Sequence, residues 1–101
     1  MNLIKRSILE RDVLEYLDKK VRALGGEIRK VRWEGRRGAP DKRVMLDPPF
    51  WAELKKPGVS CEAHQLREHE RMRKHGERVE IINSFEEVDR ILAPYEKDIR
   101  T

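Results

Sequence analysis

The chain has 101 residues, 42% of them charged, with a net charge of +4 and a single cysteine, Cys61. That length predicts one compact domain over residues 1–101 with a modest core, which oligomerisation would extend. The composition excludes an intramolecular disulfide and a multi-cysteine zinc site. It holds no apolar run of membrane-spanning length and no signal-peptide core, so a soluble, intracellular protein without membrane contact is expected.

The elements are read in chain order. From about Ile4 to Leu24 the pattern is helical: Val13, Leu14, Leu17, Val21 and Leu24 recur at three- and four-residue steps, and Gly25-Gly26 supplies a left-handed stop. Glu10 falls at the centre of that apolar stripe, whereas Glu15 points away from it. A glutamate there faces the sheet, and an unpaired buried carboxylate is costly. Glu10 should therefore pair with a cation, coordinate a metal, or lie beyond the edge of the core. Ile28 to Trp33 reads as a strand with Arg29, Val31 and Trp33 on one face, and Glu34 to Pro40 as a loop rich in glycine and arginine. Between Arg29 and Arg43, seven basic residues stand against Glu34 and Asp41, which concentrates the positive charge of the chain in this block. Such a block suits a polyanionic partner, or is an ordinary solvated strand and loop.

A hairpin follows. Lys42 to Leu46 forms one strand, Asp47-Pro48-Pro49 the turn, and Phe50 to Lys56 the returning strand. In the second strand Trp51, Glu53 and Lys55 share one face, and Phe50, Ala52 and Leu54 the other. The hairpin returns Glu53 and Lys55 to the end where Asp41 begins the first strand. Two carboxylates and a lysine so placed can hold a divalent metal against a phosphodiester and position an attacking water; singly, each has a blander reading as turn chemistry or strand exterior. Ser60 is expected to cap a helix running to about His75, closed by Gly76. In it His64, His69 and His75 lie five and six residues apart, so no pair has the four-residue spacing of a helical zinc site. Gln65 either swings its amide back toward the hairpin or faces solvent, as most helical glutamines do. Val79 to Ile82 is a short strand, and Ser84 with Glu87 forms a capping box that opens a last helix from Phe85 to about Leu92, stopped near Pro94.

Gly38-Ala39-Pro40-Asp41, Glu53-Leu54-Lys55 and Gln65 resemble the VRR-NUC group of the PD-(D/E)xK nuclease superfamily. The helix bearing Glu10, the Gly25-Gly26 stop, the Glu68-His69-Glu70 helix and the segment Ser84 to Val88 resemble its compact stand-alone phage and bacterial members, so the likeness spans nearly the whole chain. The resemblance implies an α/β fold with a restriction-endonuclease-like αβββαβ core, a mixed central sheet flanked by helices. It implies a metal-dependent DNA nuclease in which Asp41, Glu53 and the main-chain carbonyl of Leu54 bind metal, with Glu10 completing the set, directly or through water. Oxygen donors of this kind suit Mg²⁺ or Mn²⁺. Lys55 would hold the nucleophilic water and Gln65 orient that water or Lys55, making Glu10, Asp41, Glu53, Lys55 and Gln65 the expected catalytic residues.

Lys30, Arg32, Arg36, Arg37 and Arg43 would then grip phosphates, by shape rather than base sequence. Trp33 and Trp51 either stack on bases or pack in a core or dimer interface. Junction resolution by a symmetric homodimer is the substrate that the compact members suggest, in the cytoplasm of a bacterium or a phage-infected host cell. A flap or single-strand nuclease with the same site is the enzymatic alternative. A catalytically idle nucleic-acid-binding subunit is the alternative of another class.

Overall fold

The computed structural model describes residues 7–100, with side chains as far as Lys97. The expected helical start at Ile4 lies outside the described residues, and Ser7 to Leu9 are not helical. Helix α1 spans Glu10–Ala23. It begins there because the carboxylate of Asp12 accepts the backbone N–H of Leu9 at 2.8 Å, satisfying a donor that would otherwise be orphaned. Val13, Leu17 and Val21 are fully buried, with Leu14 and Leu24 packed at the margin of the core. Gly25 closes the helix at φ +86° as expected.

Among the described residues four strands form one sheet in the order β1 (Glu27–Lys30), β2 (Lys42–Met45), β3 (Phe50–Leu54) and β4 (Val79–Ile82). β1 and β2 are antiparallel, β2 and β3 antiparallel, β3 and β4 parallel. The expected strand from Ile28 to Trp33 is shorter than its sequence pattern. One further rung forms, from the Val31 N–H to the Asp41 carbonyl at 2.8 Å. In this register the residue facing Arg32 is Pro40, which has no N–H to give, so pairing stops. The hairpin strands likewise end at Met45 and Leu54, one and two residues short of expectation.

One face of the sheet is the core. Val44, Phe50, Ala52, Leu54 and Ile82 pack against Val13, Leu17 and Val21 of α1 and against Val88, Ile91, Leu92 and Tyr95 of α3, which spans Phe85–Arg100. The opposite face carries Arg43, Trp51 and Glu53 beneath α2 (Ala63–Lys74). Ser60 does not cap α2; Glu62 does, two residues later, because its N–H is taken by the side-chain oxygen of Gln65 at 2.8 Å. At α3 the Ser84 hydroxyl accepts the Glu87 N–H at 3.1 Å as expected, while the Glu87 carboxylate turns to Arg90 at 2.6 Å.

The expected stop near Pro94 is overridden, and α3 continues to Arg100. Proline costs that helix a hydrogen bond, yet Leu92 and Tyr95 on either side are buried. The Tyr95 hydroxyl donates to the Pro48 carbonyl and accepts from Arg78 Nη1 at 2.9 Å. Tertiary anchoring of the following turn therefore outweighs the local break. Among the described residues no helix is long and apolar enough to cross a membrane.

Candidate active site

The register of the central hairpin fixes the two acids. Lys42 pairs with Ala52, so one step beyond that pair Asp41 stands opposite Glu53, on the face that carries Trp51 and Arg43. The loop that delivers Asp41 is pinned at three places. Gly38, at φ +88°, lies so close to α2 that an added Cβ would come within 2.8 Å of the His64 carbonyl and 3.2 Å of Gln65 Cα. Trp33 Nε1–H donates to the Pro40 carbonyl at 2.7 Å, and Asp41 Oδ1 accepts from Lys42 Nζ at 3.2 Å.

Glu53 is the centre of the arrangement. Its side chain is only 13% exposed. Oε2 accepts a long hydrogen bond from Gln65 Nε2 at 3.4 Å, and Oε1 lies 3.2 Å from His69 Nε2. Burial is the largest influence on its pKa and, with the nearby charges of Asp41 and Glu10, pushes it up to about 7, against the opposing pull of Lys55 and Lys42. Two further acids and two lysines thus act electrically on one carboxyl group. Lys55 follows Glu53 by two residues on the same face, and its backbone N–H is fixed to the Ile82 carbonyl at 3.0 Å.

His69 is the residue that sequence reasoning missed. It is fully buried, and burial, with the neighbouring Arg73, holds its pKa below the ordinary value, so the ring is neutral at neutral pH. Against an ionised Glu53 only the Nε2–H tautomer can donate. That leaves Nδ1 as a buried atom without a hydrogen-bond partner among the described residues. The missed signal was spacing: Gln65 and His69 are four apart on a helix, so whatever brings one to Glu53 brings the other. The adjacent Glu68 is also buried, held by Arg71 at 2.7 Å and 3.7 Å from Arg36.

A curated protein from Acyrthosiphon pisum secondary endosymbiont phage 1, named "Putative nuclease p44", is 37% identical over 81 residues, covering 78% of this chain and 87% of its own. A solved structure described as a VRR_NUC domain shares 42% identity over 85% of this chain and 96% of its own, with a TM-score of 0.76. The chain belongs to the VRR-NUC family. No family model matches the sequence. The mixed sheet flanked by helices is the restriction-endonuclease-like architecture, and the chain is a nuclease.

VRR-NUC nucleases of the PD-(D/E)xK type are generally dependent on a divalent metal. Among the described residues no three His, Cys, Asp or Glu side chains are grouped closely enough to cage an ion by themselves. The donors that fit are two carboxylates, Asp41 and Glu53, supplemented by main-chain oxygen and water, which is how Mg²⁺ is commonly held. The raised pKa of Glu53 supports this fit, because a cation between mutually repelling acids relieves the cost of ionising a buried one.

Glu10 takes the last of the three places expected for it in this VRR-NUC domain. It is the first residue of α1 and exposed, so it lies at the edge of the core rather than under it, yet its charge reaches Glu53. The helical wheel gave the right direction, but a first-turn residue projects past the sheet. The basic residues divide. Lys30, Arg32 and Arg36 line an open cleft with Trp33, Ala39 and Asp41, and Arg37 is exposed on the same loop. Arg43 lies under α2 with its guanidinium 4.9 Å from the Trp51 ring.

Proposed function

We propose that this protein is a DNA endonuclease that hydrolyses phosphodiesters with Mg²⁺ or Mn²⁺, acting as a homodimer on branched DNA, four-way junctions first. The observation that carries the reading is the juxtaposition of Asp41 and Glu53 across the central strand pair, with Lys55 beside them. Asp41, Glu53 and the main-chain carbonyl of Leu54 would hold the cation, with Glu10 at the rim of the set. When bound, a divalent cation lowers the pKa of water and offsets charge on the phosphate oxygens.

The residues themselves do the remaining work. Lys55 presents a compact positive charge that holds the attacking water and stabilises negative charge in the transition state. Gln65 and His69 fix the rotamer of Glu53 from α2, supported by their 3.4 Å and 3.2 Å approaches. Lys30, Arg32, Arg36 and Arg37 hold phosphates beside Asp41, and Arg43 reinforces the positive field from the other side of Trp51. Two copies about a two-fold axis would supply one site to each of two opposed strands. Cleavage of flaps or single strands is the second reading, favoured by the open tryptophan-lined cleft on the Glu53 face.

The test is cleavage of labelled four-way junction, flap, duplex and single-stranded DNA with Mg²⁺ or Mn²⁺, by wild type, Asp41→Ala and Lys55→Ala. Paired symmetric nicks in the junction, lost in both variants, are the expected result. One nick confined to flaps or single strands would replace the junction reading. Unchanged cutting by Lys55→Ala would overturn the assignment of the site.

A further inference from the structure

We infer that the cleft bordered by Trp33 and Trp51 is a stacking subsite whose exposed Trp33 indole takes one unpaired nucleobase of the strand being cut. This rests on the reading of the protein as a DNA nuclease and specifies what its substrate must present. The cleft has a volume of about 420 Å³ and is bordered by both tryptophans, Arg36, Arg43, Arg71, Glu68 and Glu77. The indoles lie 5.0 Å apart between centroids and are tilted by 47°. Their N–H groups are already engaged, that of Trp33 with the Pro40 carbonyl and that of Trp51 with Glu77 Oε1 at 2.9 Å. What remains available to a ligand is ring surface rather than an unmet donor. Trp33 keeps 37% of its surface exposed, so part of its indole is open to a ligand.

Charge distinguishes a base from a phosphate. In the tryptophan cleft three guanidinium groups stand against two acids: Glu68 is held by Arg71 at 2.7 Å and lies 3.7 Å from Arg36, and Glu77 lies 3.6 Å from Arg43. An aromatic concavity whose charges are mostly paired suits a planar base. The neighbouring cleft sets Lys30 and Arg32, with the shared Arg36, against Asp41 and suits a phosphate. The two clefts share Trp33 and Arg36 as a common wall, so one strand can pass from the first into the second. Trp51 precedes Glu53 by two residues on the same face, about 7 Å along the strand. A base on the tryptophans and a phosphate at Asp41 and Glu53 therefore belong to the same or adjoining nucleotides. The Arg43 guanidinium, 4.9 Å from the Trp51 centroid, already covers part of that ring, so the exposed Trp33 indole is the main stacking surface.

A paired base cannot enter without leaving its stack, so the subsite favours DNA with an unpaired nucleotide next to the cut. The experiment measures binding without divalent cation, using a duplex that carries a short single-stranded overhang labelled with 2-aminopurine and a blunt duplex of the same sequence. Trp33→Ala should weaken binding to the overhang DNA about tenfold more than binding to the blunt duplex, within the range that stacking one base on an aromatic residue is worth; loss of the Pro40 bond acts on both DNAs alike. Wild type should quench the 2-aminopurine and Trp33→Ala should not, while Trp33→Phe retains both quenching and most of the affinity. Equal loss on both DNAs, or no loss on either, would overturn the proposal. So would light scattering that shows Trp33→Ala converting a dimer to a monomer, since the indoles would then be a subunit contact. Glu53→Gln separates the two readings: it should abolish cleavage and keep the overhang preference. An overhang preference in a wild-type protein that cuts nothing would sink the nuclease reading and leave the subsite standing.

Discussion

Replacing Glu53 by glutamine should stabilise the metal-free protein above neutral pH while abolishing cleavage. The folded site holds this carboxyl at a pKa of about 7, against 4.5 for an ordinary glutamate, chiefly because burial penalises its charged form. The unfolded chain loses the proton first as pH rises, so the stability contributed by protonated Glu53 is fully present below 4.5. It is lost progressively up to about 7. At about 1.4 kcal/mol for each pH unit of displacement, the ceiling on that loss is about 3 kcal/mol. Glutamine keeps the shape and removes the ionisation, and its amide can meet both Gln65 and the adaptable tautomer of His69. The assay is urea denaturation of wild type and Glu53→Gln in chelator, near pH 4.5 and well above pH 7. The stability gap in favour of the variant should widen by about 3 kcal/mol at most between the two conditions, which cancels any constant difference in packing. A gap that does not change with pH would refute the reasoning. Adding Mn²⁺ at the higher pH should reverse the order, because only wild type gains a ligand that offsets the buried charge.

Gly38→Ala should lower both stability and turnover, since its Cβ would meet the His64 carbonyl at 2.8 Å in a left-handed backbone and push the Asp41 loop off α2; unaltered kinetics would contradict that placement. Pro94→Ala should raise stability in urea melts by roughly 1 kcal/mol or more, because the helix already continues through an exposed proline and regains a hydrogen bond. DNA affinity should fall steeply with salt, and Arg36→Ala should reduce the slope of log affinity against log salt by about 1 if it contacts a phosphate. An unchanged slope would remove Arg36 from the phosphate grip.

The hairpin was legible because its logic is local. Alternation along Trp51, Glu53 and Lys55 needs only the period of a strand, and the position of Asp41 follows from a short connection. What lay hidden depended on partners far away in sequence. The extension of α3 past Pro94 is decided by a hydroxyl bond from Tyr95 to Pro48, 47 residues away. The early end of β1 depends on Pro40 falling opposite Arg32, which only the register reveals. The role of His69 was obscured by asking whether the three histidines could form a zinc site, when the informative neighbour was Gln65. Glu10 shows the limit of a helical wheel, which gives an azimuth but not whether the sheet extends that far along the axis.

Gln65 occupies two places at once: its oxygen takes the N–H of Glu62 at the start of α2, and its nitrogen reaches Glu53. Glutamate at this position could still receive the Glu62 N–H but would turn a second negative charge toward Glu53. A shorter asparagine would lose the reach. The start of α2 and the rotamer of the acid are therefore one coupled degree of freedom. Any force that unwinds the first turn of this helix, from a ligand pressing on the loop or a partner docking beside it, becomes a change in where Glu53 points. In this small domain the lever and the blade share a single side chain.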